Sequence, residues 1–238
     1  MNSSERVKLL SKAENLGITH FDTSPYYGYG LAEIELGKHL HTRRSLFTIS
    51  TKFGLYPLAP HINGYMSMLA RKGFKYVIPS LSLPHKDWDV NKAKCSLRKS
   101  LIRLKTDYID FLFLHEPEIN YINLEVMLDW LKDEKKAGNI RYWGLAGYEE
   151  NITPFLHTFS ELAQVIQTKD SLNYKEAKYL ATNNKKTQFT YGYFSNKFEK
   201  AFSSKYILEN ALKQNPGGSI LISSRKIKHL EQIKNCKI

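Results

Sequence analysis

The segment Gly17-Ile-Thr-His-Phe-Asp-Thr-Ser-Pro-Tyr-Tyr-Gly28 constrains this chain more than any other. A short apolar run carries the chain straight into Asp22, and Tyr27 follows five residues later. The pattern returns twice: Lys52 comes just after the apolar run Leu46–Ser50, and His115 closes the run Tyr108–Leu114. Strands that each deliver a proton-handling side chain at their C-terminal end belong to a parallel barrel whose chemistry sits at that rim.

The rest of the chain alternates in the same sense. Strands are expected at Ile18–Asp22, Leu46–Thr51, Tyr108–Leu114, Ile140–Leu145, Ala163–Gln167, Thr187–Tyr193 and Ser219–Ile222. Tyr108–Leu114 is almost continuously apolar, as a strand covered on both faces must be. Helices fall between them. Ser3 or Ser4 can cap one that ends at Gly17, and another covers Leu31–Leu40. Ala93, Leu97, Leu101 and Leu104 stripe one face of Val90–Leu104, and Leu124, Met127, Leu128 and Leu131 stripe the next helix. Thr153-Pro154 reads as the N-cap and first position of a further helix. Tyr174–Ala181, Ser203–Leu212 and Ile227–Lys234 complete the set. Strand–helix alternation without a linker means one domain over residues 1–238, an α/β fold of the TIM-type (β/α)8 class. Seven strands are recognisable and the first barrel strand is missing, so the barrel reads as incomplete at the N-terminus. Two sheet edges then lack partners, and self-association through those edges, or marginal stability, is the expected consequence. The one long loop, Phe53–Asp89, holds four prolines and lies where a lid or specificity element would.

Length and composition exclude several classes. At 238 residues the chain can bury roughly 70–75% of its unfolded surface in one core. Its two cysteines, Cys95 and Cys236, build neither a disulfide framework nor a zinc site, which favours a reducing cytoplasm. No apolar run is long enough to span a membrane, and no histidine pair has ligand spacing, so neither membrane nor metal is expected. The net charge of +12 is spread over scattered lysines. The densest group (Lys185, Lys186, Lys197, Lys200, Lys205) accompanies no base-reading motif, so nucleic acid is not the expected partner.

The run Phe21-Asp-Thr-Ser-Pro-Tyr-Tyr-Gly-Tyr-Gly-Leu-Ala-Glu33 resembles the first signature of the aldo-keto reductases. Ser96 to Pro117, ending on Leu-His-Glu-Pro, is similar to their second, and Gly138–Gly147 looks like the entry to their fifth strand. The resemblance runs from Val7 to about Gln167 and returns more weakly at Gly218–Ile233. It implies a catalytic tetrad of Asp22, Tyr27, Lys52 and His115 that reduces a small carbonyl compound with hydride from NADP. In that scheme Lys52 lowers the phenol pKa of Tyr27 from its usual value near 10, making it a usable acid. Asp22 keeps Lys52 charged, and His115 orients the substrate carbonyl.

For the cofactor, the resemblance implies Gln167 at the nicotinamide, Tyr191 stacked on it, with Tyr193 as the other candidate, and Ser224, Arg225 and Lys226 at the adenosine 2′-phosphate. A guanidinium fork there would prefer NADP over NAD. The family's Ser-Asn pair after its fifth strand is replaced by Ala146 and Gly147, which have no side-chain donor. That replacement and the missing strand motivate an alternative, a catalytically weak binding or scaffold subunit. A barrel aldolase or isomerase using Lys52 as a Schiff base is a third reading, and it needs that lysine desolvated and neutral.

Overall fold

A computed structural model describes residues 1–57, 84–181, 186–195 and 201–232. Most of Phe53–Asp89, and with it the expected lid, lies outside the described residues, as do Lys185, Lys197, Lys200 and Cys236. Two compact units emerge: His20–Trp143, and a second made of Met1–Thr19 with Gly144–Ile238.

In the His20–Trp143 unit, β1 (His20–Asp22), β2 (Thr48–Phe53) and β5 (Ile109–His115) are parallel neighbours in that order. A small antiparallel pair, β3 (Leu55–Tyr56) and β4 (His85–Lys86), follows β2. The connecting helices are α2 (Leu31–Leu40), α3 (Val90–Leu104) and α4 (Leu124–Lys136). Helix α3 starts where Asp89 accepts hydrogen bonds from the Asn91 and Lys92 amides, which have no partner inside the helix. It stops where Lys105 turns left-handed at φ +52°. Between these ends Ala93, Leu97 and Leu104 face the core as the i, i+4 stripe requires. Leu101, expected on the same stripe, is only partly buried.

The second unit holds α1 (Ser3–Asn15) and the parallel strands β6 (Ile140–Gly147, which begins in the other unit), β7 (Val165–Lys169), β8 (Phe189–Tyr191) and β9 (Ser219–Leu221). Its other helices are α5 (Glu149–Thr158), α6 (Lys178–Ala181), α7 (Ser204–Gln214) and α8 (Ile227–Glu231). Among the described residues β1 pairs only with β2, and β9 only with β8.

Two helix starts differ from expectation. Asn2, not Ser3 or Ser4, caps α1, because its side chain and that of Glu5 satisfy each other's backbone amides. Helix α5 begins at Glu149, with Pro154 inside it. The lost amide of Pro154 is outweighed by complete burial of Ile152 and Phe155, and Glu149 and Glu150 suit the positive end of the helix. No helix among the described residues is long and apolar enough to cross a membrane.

Helix α2 meets the end of α3 at Gly37, where a Cβ would stand 2.4 Å from the Arg103 carbonyl oxygen. Alanine would add about 1 kcal/mol of helix propensity, but the two backbones would have to separate, which costs more. Gly37→Ala should therefore lower stability by about 1–2 kcal/mol net in urea unfolding. Unchanged or increased stability would show that α2 and α3 can slide apart freely.

Candidate active site

Strand register gathers the polar side chains. Asp22 lies opposite Ser50, and His20 opposite Thr48. Because side chains alternate along a strand, His20 and Asp22 of β1 share a face with Thr48, Ser50 and Lys52 of β2. On the other face Ile49 and Phe53 enter the core, and Thr51 donates to Glu33 at 2.6 Å. Lys52 is the next-to-last residue of β2 rather than just beyond it, Asp22 closes β1 and His115 closes β5.

The Lys52 side chain is 2% exposed. Its ammonium donates to Asp22 Oδ1 and Oδ2 at 2.7 and 2.6 Å and to the Thr23 carbonyl at 2.9 Å. It also sits 4.9 Å from the centre of the Tyr27 ring. Burial disfavours the charge, but Asp22 and Tyr27 outweigh it and hold the Lys52 pKa above its ordinary value. Lys52 is therefore a fixed cation.

Tyr27 remains 38% exposed. It opens a short 3₁₀ turn, Tyr27–Gly30, in which Gly28, Tyr29 and Gly30 all have positive φ (59°, 58° and 85°). Glycine tolerates this and Tyr29 pays about 1–2 kcal/mol for it. Gly28-Tyr-Gly30 thus serves a reversal of the chain beside Tyr27. Burial of the rest of the ring raises the Tyr27 pKa, with Lys52 opposing and Asp22 reinforcing. This corrects the expectation of a lowered value: the pull of Lys52 is present but is smaller than the desolvation.

His115 is buried at 8% exposure, and its ring meets that of Tyr27 edge-on at 6.0 Å. Its Nδ1 lies 3.5 Å from Ser24 Oγ, and its carbonyl accepts a 3.2 Å bond from Trp88 Nε1. Trp88 reaches that place because Gly54 has no side chain; a Cβ there would meet the indole nitrogen at 2.2 Å. Burial first, and Lys52 second, hold the His115 pKa well below its usual value, so the imidazole is neutral.

The residues expected at the cofactor lie in the other unit. Gln167 on β7 is 3% exposed, and its Oε1 has no hydrogen-bond partner among the described residues. An orphaned buried acceptor costs about 1–3 kcal/mol, and a carboxamide N–H is the kind of donor that would remove the cost. Tyr193 is 1% exposed and donates to Asp170, so it is a core residue. Tyr191, at the end of β8, stays partly accessible. Ser224 spends its hydroxyl on Lys226, donating to the carbonyl at 2.9 Å and accepting from the amide at 3.1 Å, while Arg225 and Lys226 are exposed. Ala146 and Gly147 are buried, and the Gly147 carbonyl accepts from Thr168 at 3.0 Å. The side chains present thus fit a nicotinamide amide at Gln167 and an anion at Arg225 and Lys226.

Residues 1–157 match the profile of the aldo/keto reductase family. The D-threo-aldose 1-dehydrogenase of a Pseudomonas species is 35% identical over 127 residues, 52% of this chain and 37% of that protein. The L-galactose dehydrogenase of Arabidopsis thaliana is 30% identical over 157 residues, 64% of this chain and 41% of that one. The matched segment thus spans about two fifths of these relatives' length. Among solved structures, the holo form of an aldo-keto reductase from Bacillus halodurans superposes with a TM-score of 0.75 at 18% identity, covering 99% of this chain and 82% of its own. A Klebsiella pneumoniae aldo-keto reductase in complex with NADPH gives 0.65 at 18%, covering 98% and 79%. The fold is that of these (β/α)8 barrels, with seven parallel strands among the described residues.

Burial also lowers the pKa of His20 from 6.5 to about 4, against the pull of Asp22. Both buried histidines resist protonation in the folded state, whereas the unfolded chain takes up protons below about pH 6.5. Stability must then rise with pH between about 4 and 6.5, because the unfolded state binds more protons there. His20 alone should cost about 2 kcal/mol between pH 7 and pH 5, with His115 adding in the same direction. Urea midpoints at the two pH values should show His20→Gln losing that share of the drop. A variant retaining the whole drop would mean His20 is protonated in the native protein.

Proposed function

We propose that this chain, which belongs to the aldo/keto reductase family, is an NADP-dependent oxidoreductase that reduces an aldehyde or ketone to an alcohol, with Tyr27 as proton donor. The observation that carries this reading is the buried Lys52 ammonium, bonded to Asp22 and facing the Tyr27 ring at 4.9 Å. A bound reduced nicotinamide supplies the hydride. The protein's part is to hold and move a proton. Neutral His115 offers a ring N–H to the substrate oxygen and aligns it with the Tyr27 hydroxyl. Tyr27 gives up its proton as negative charge develops on that oxygen, and Lys52 stabilises the phenolate left behind. A lysine held charged by three acceptor oxygens is a poor nucleophile, which argues against a Schiff base at Lys52.

Gln167 is proposed to take the nicotinamide carboxamide, Tyr191 to stack on the ring, and Arg225 and Lys226 to pair with the 2′-phosphate. Ser224 shapes their turn rather than reaching the ligand. Two relatives are named for sugars, which supports a small hydroxylated carbonyl substrate. A single barrel domain, a cytoplasmic location and self-association through the edges of β1 and β9 belong to the same reading. Ala146 and Gly147 favour the second reading, a weakly catalytic scaffold, because they withhold two donors from the nicotinamide.

Tyr27→Phe should reduce carbonyl turnover by about 10²–10⁴-fold, the usual worth of a positioned acid, while NADPH affinity by fluorescence titration stays the same. Substantial residual turnover would move the acid role to another group. Arg225→Ala should weaken NADPH by about tenfold, as loss of a charge-assisted pair implies, and leave NADH unaffected. Equal loss for both cofactors would remove Arg225 from the 2′-phosphate.

A further inference from the structure

Asp22 does not face Lys52 alone. Its Oδ1 also accepts a 2.6 Å hydrogen bond from Ser50 Oγ, which belongs to a residue 1% exposed. Ser50 Oγ in turn lies 3.2 Å from His20 Nε2, and His20 Nδ1 lies 2.8 Å from Thr48 Oγ1. The direction of this chain follows from proton counting. An ionised carboxylate can only accept, so the single Ser50 proton points at Asp22. Ser50 must then accept from His20, so neutral His20 carries its proton on Nε2. That leaves Nδ1 an acceptor, filled by the Thr48 hydroxyl. The Phe111 ring, edge-on to His20 at 5.8 Å, closes one side.

We infer that His20 and Ser50 form a one-way hydrogen-bond chain that positions Asp22, so that the carboxylate holds Lys52 against Tyr27. They are positioning residues, and the inference rests on the reading of Tyr27 and Lys52 given above. Without the Ser50 bond, Oδ1 has one donor fewer and the carboxylate is freer to rotate about its own axis. The Lys52 ammonium then loses its fixed place against the phenol. Since Lys52 is what pulls the Tyr27 pKa down, loosening it raises the midpoint at which the phenol ionises. The charged groups facing His20 are Asp22, Lys52 and Asp110, and none of them is altered by the substitutions below.

The test uses the full chain carrying tyrosine labelled with ¹³C at Cζ, titrated by NMR, so that it reads Tyr27 whether or not the protein turns over. Ser50→Ala should move the Tyr27 midpoint to higher pH and lower kcat about tenfold, as loss of a bond to a charged group implies, at unchanged NADPH affinity. His20→Leu should do the same more weakly. His20→Gln, whose amide N–H reaches the position of Nε2, should restore the wild-type midpoint, as should Ser50→Thr. A histidine ¹⁵N spectrum of the wild type should show His20 protonated on Nε2 only. An unmoved Tyr27 midpoint in both Ser50→Ala and His20→Leu, or a His20 proton on Nδ1, would overturn the inference. Full turnover by Tyr27→Phe would instead overturn the functional reading, and would leave the titration result standing on its own.

Discussion

A lysine ammonium cannot be removed from water without company. The effective cost is several kcal/mol even after relaxation, and it is recovered only when every donor finds an acceptor in good geometry. Lys52, at 2% exposure, reaches that condition through Asp22 Oδ1, Asp22 Oδ2 and the Thr23 carbonyl. All three acceptors come from β1 and the turn after it. The demand of one buried charge therefore dictates that β1 lie beside β2 and that Asp22 stand opposite Ser50. The chain then reverses sharply beside Tyr27. The positive φ angles of Gly28, Tyr29 and Gly30 are the local cost of that reversal.

The register beneath the site is secured by a second buried charge. Asp110 on β5 is 1% exposed and accepts from Arg44 at 2.6 Å, from Arg141 at 2.8 Å and from the Ile49 amide of β2 at 2.9 Å. Sliding β2 by a residue against β5 would strand this carboxylate and turn Lys52 to the opposite face. Arg44 also donates to the Phe47 and Tyr108 carbonyls, tying the loop before β2 to the start of β5. The position of Lys52 relative to His115 is thus inherited from a separate ion-pair network beneath the site.

Much of this was legible in the sequence, and the reasons are physical. Asp22, Lys52 and His115 stood out because each interrupts an apolar run at its end. Tyr27 was marked by its spacing and by the resemblance that names it. Ser50, His20 and Thr48 were passed over, although a signal existed: His20-x-Asp22 and Thr48-x-Ser50-x-Lys52 alternate polar residues with period two, which in a strand means one shared face. Trp88 and Ser24 had no such signal, because their contacts with His115 arise from loop paths that periodicity does not encode. The start of α5 was misplaced for a related reason. Pro154 suggested a helix beginning, and only the burial of Ile152 and Phe155 shows why the helix tolerates it inside.

The sign of the Tyr27 shift changes the part proposed for Lys52. A phenol lowered toward neutrality would be partly ionised at rest, and each ionised molecule would lack its proton when substrate arrived. With its pKa raised by burial, Tyr27 is protonated at rest, as the proposed role of proton donor requires. In the proposed transfer the proton still moves downhill, since an alkoxide is a far stronger base than any phenolate. In the proposed mechanism Lys52 acts late, on the phenolate that remains after transfer, where a fixed cation removed from water is worth more than in solvent. The same burial that raises the resting pKa also amplifies that later attraction. In the proposed mechanism desolvation and a preset charge are therefore two halves of one device, whose precision depends on how firmly Asp22 holds the ammonium.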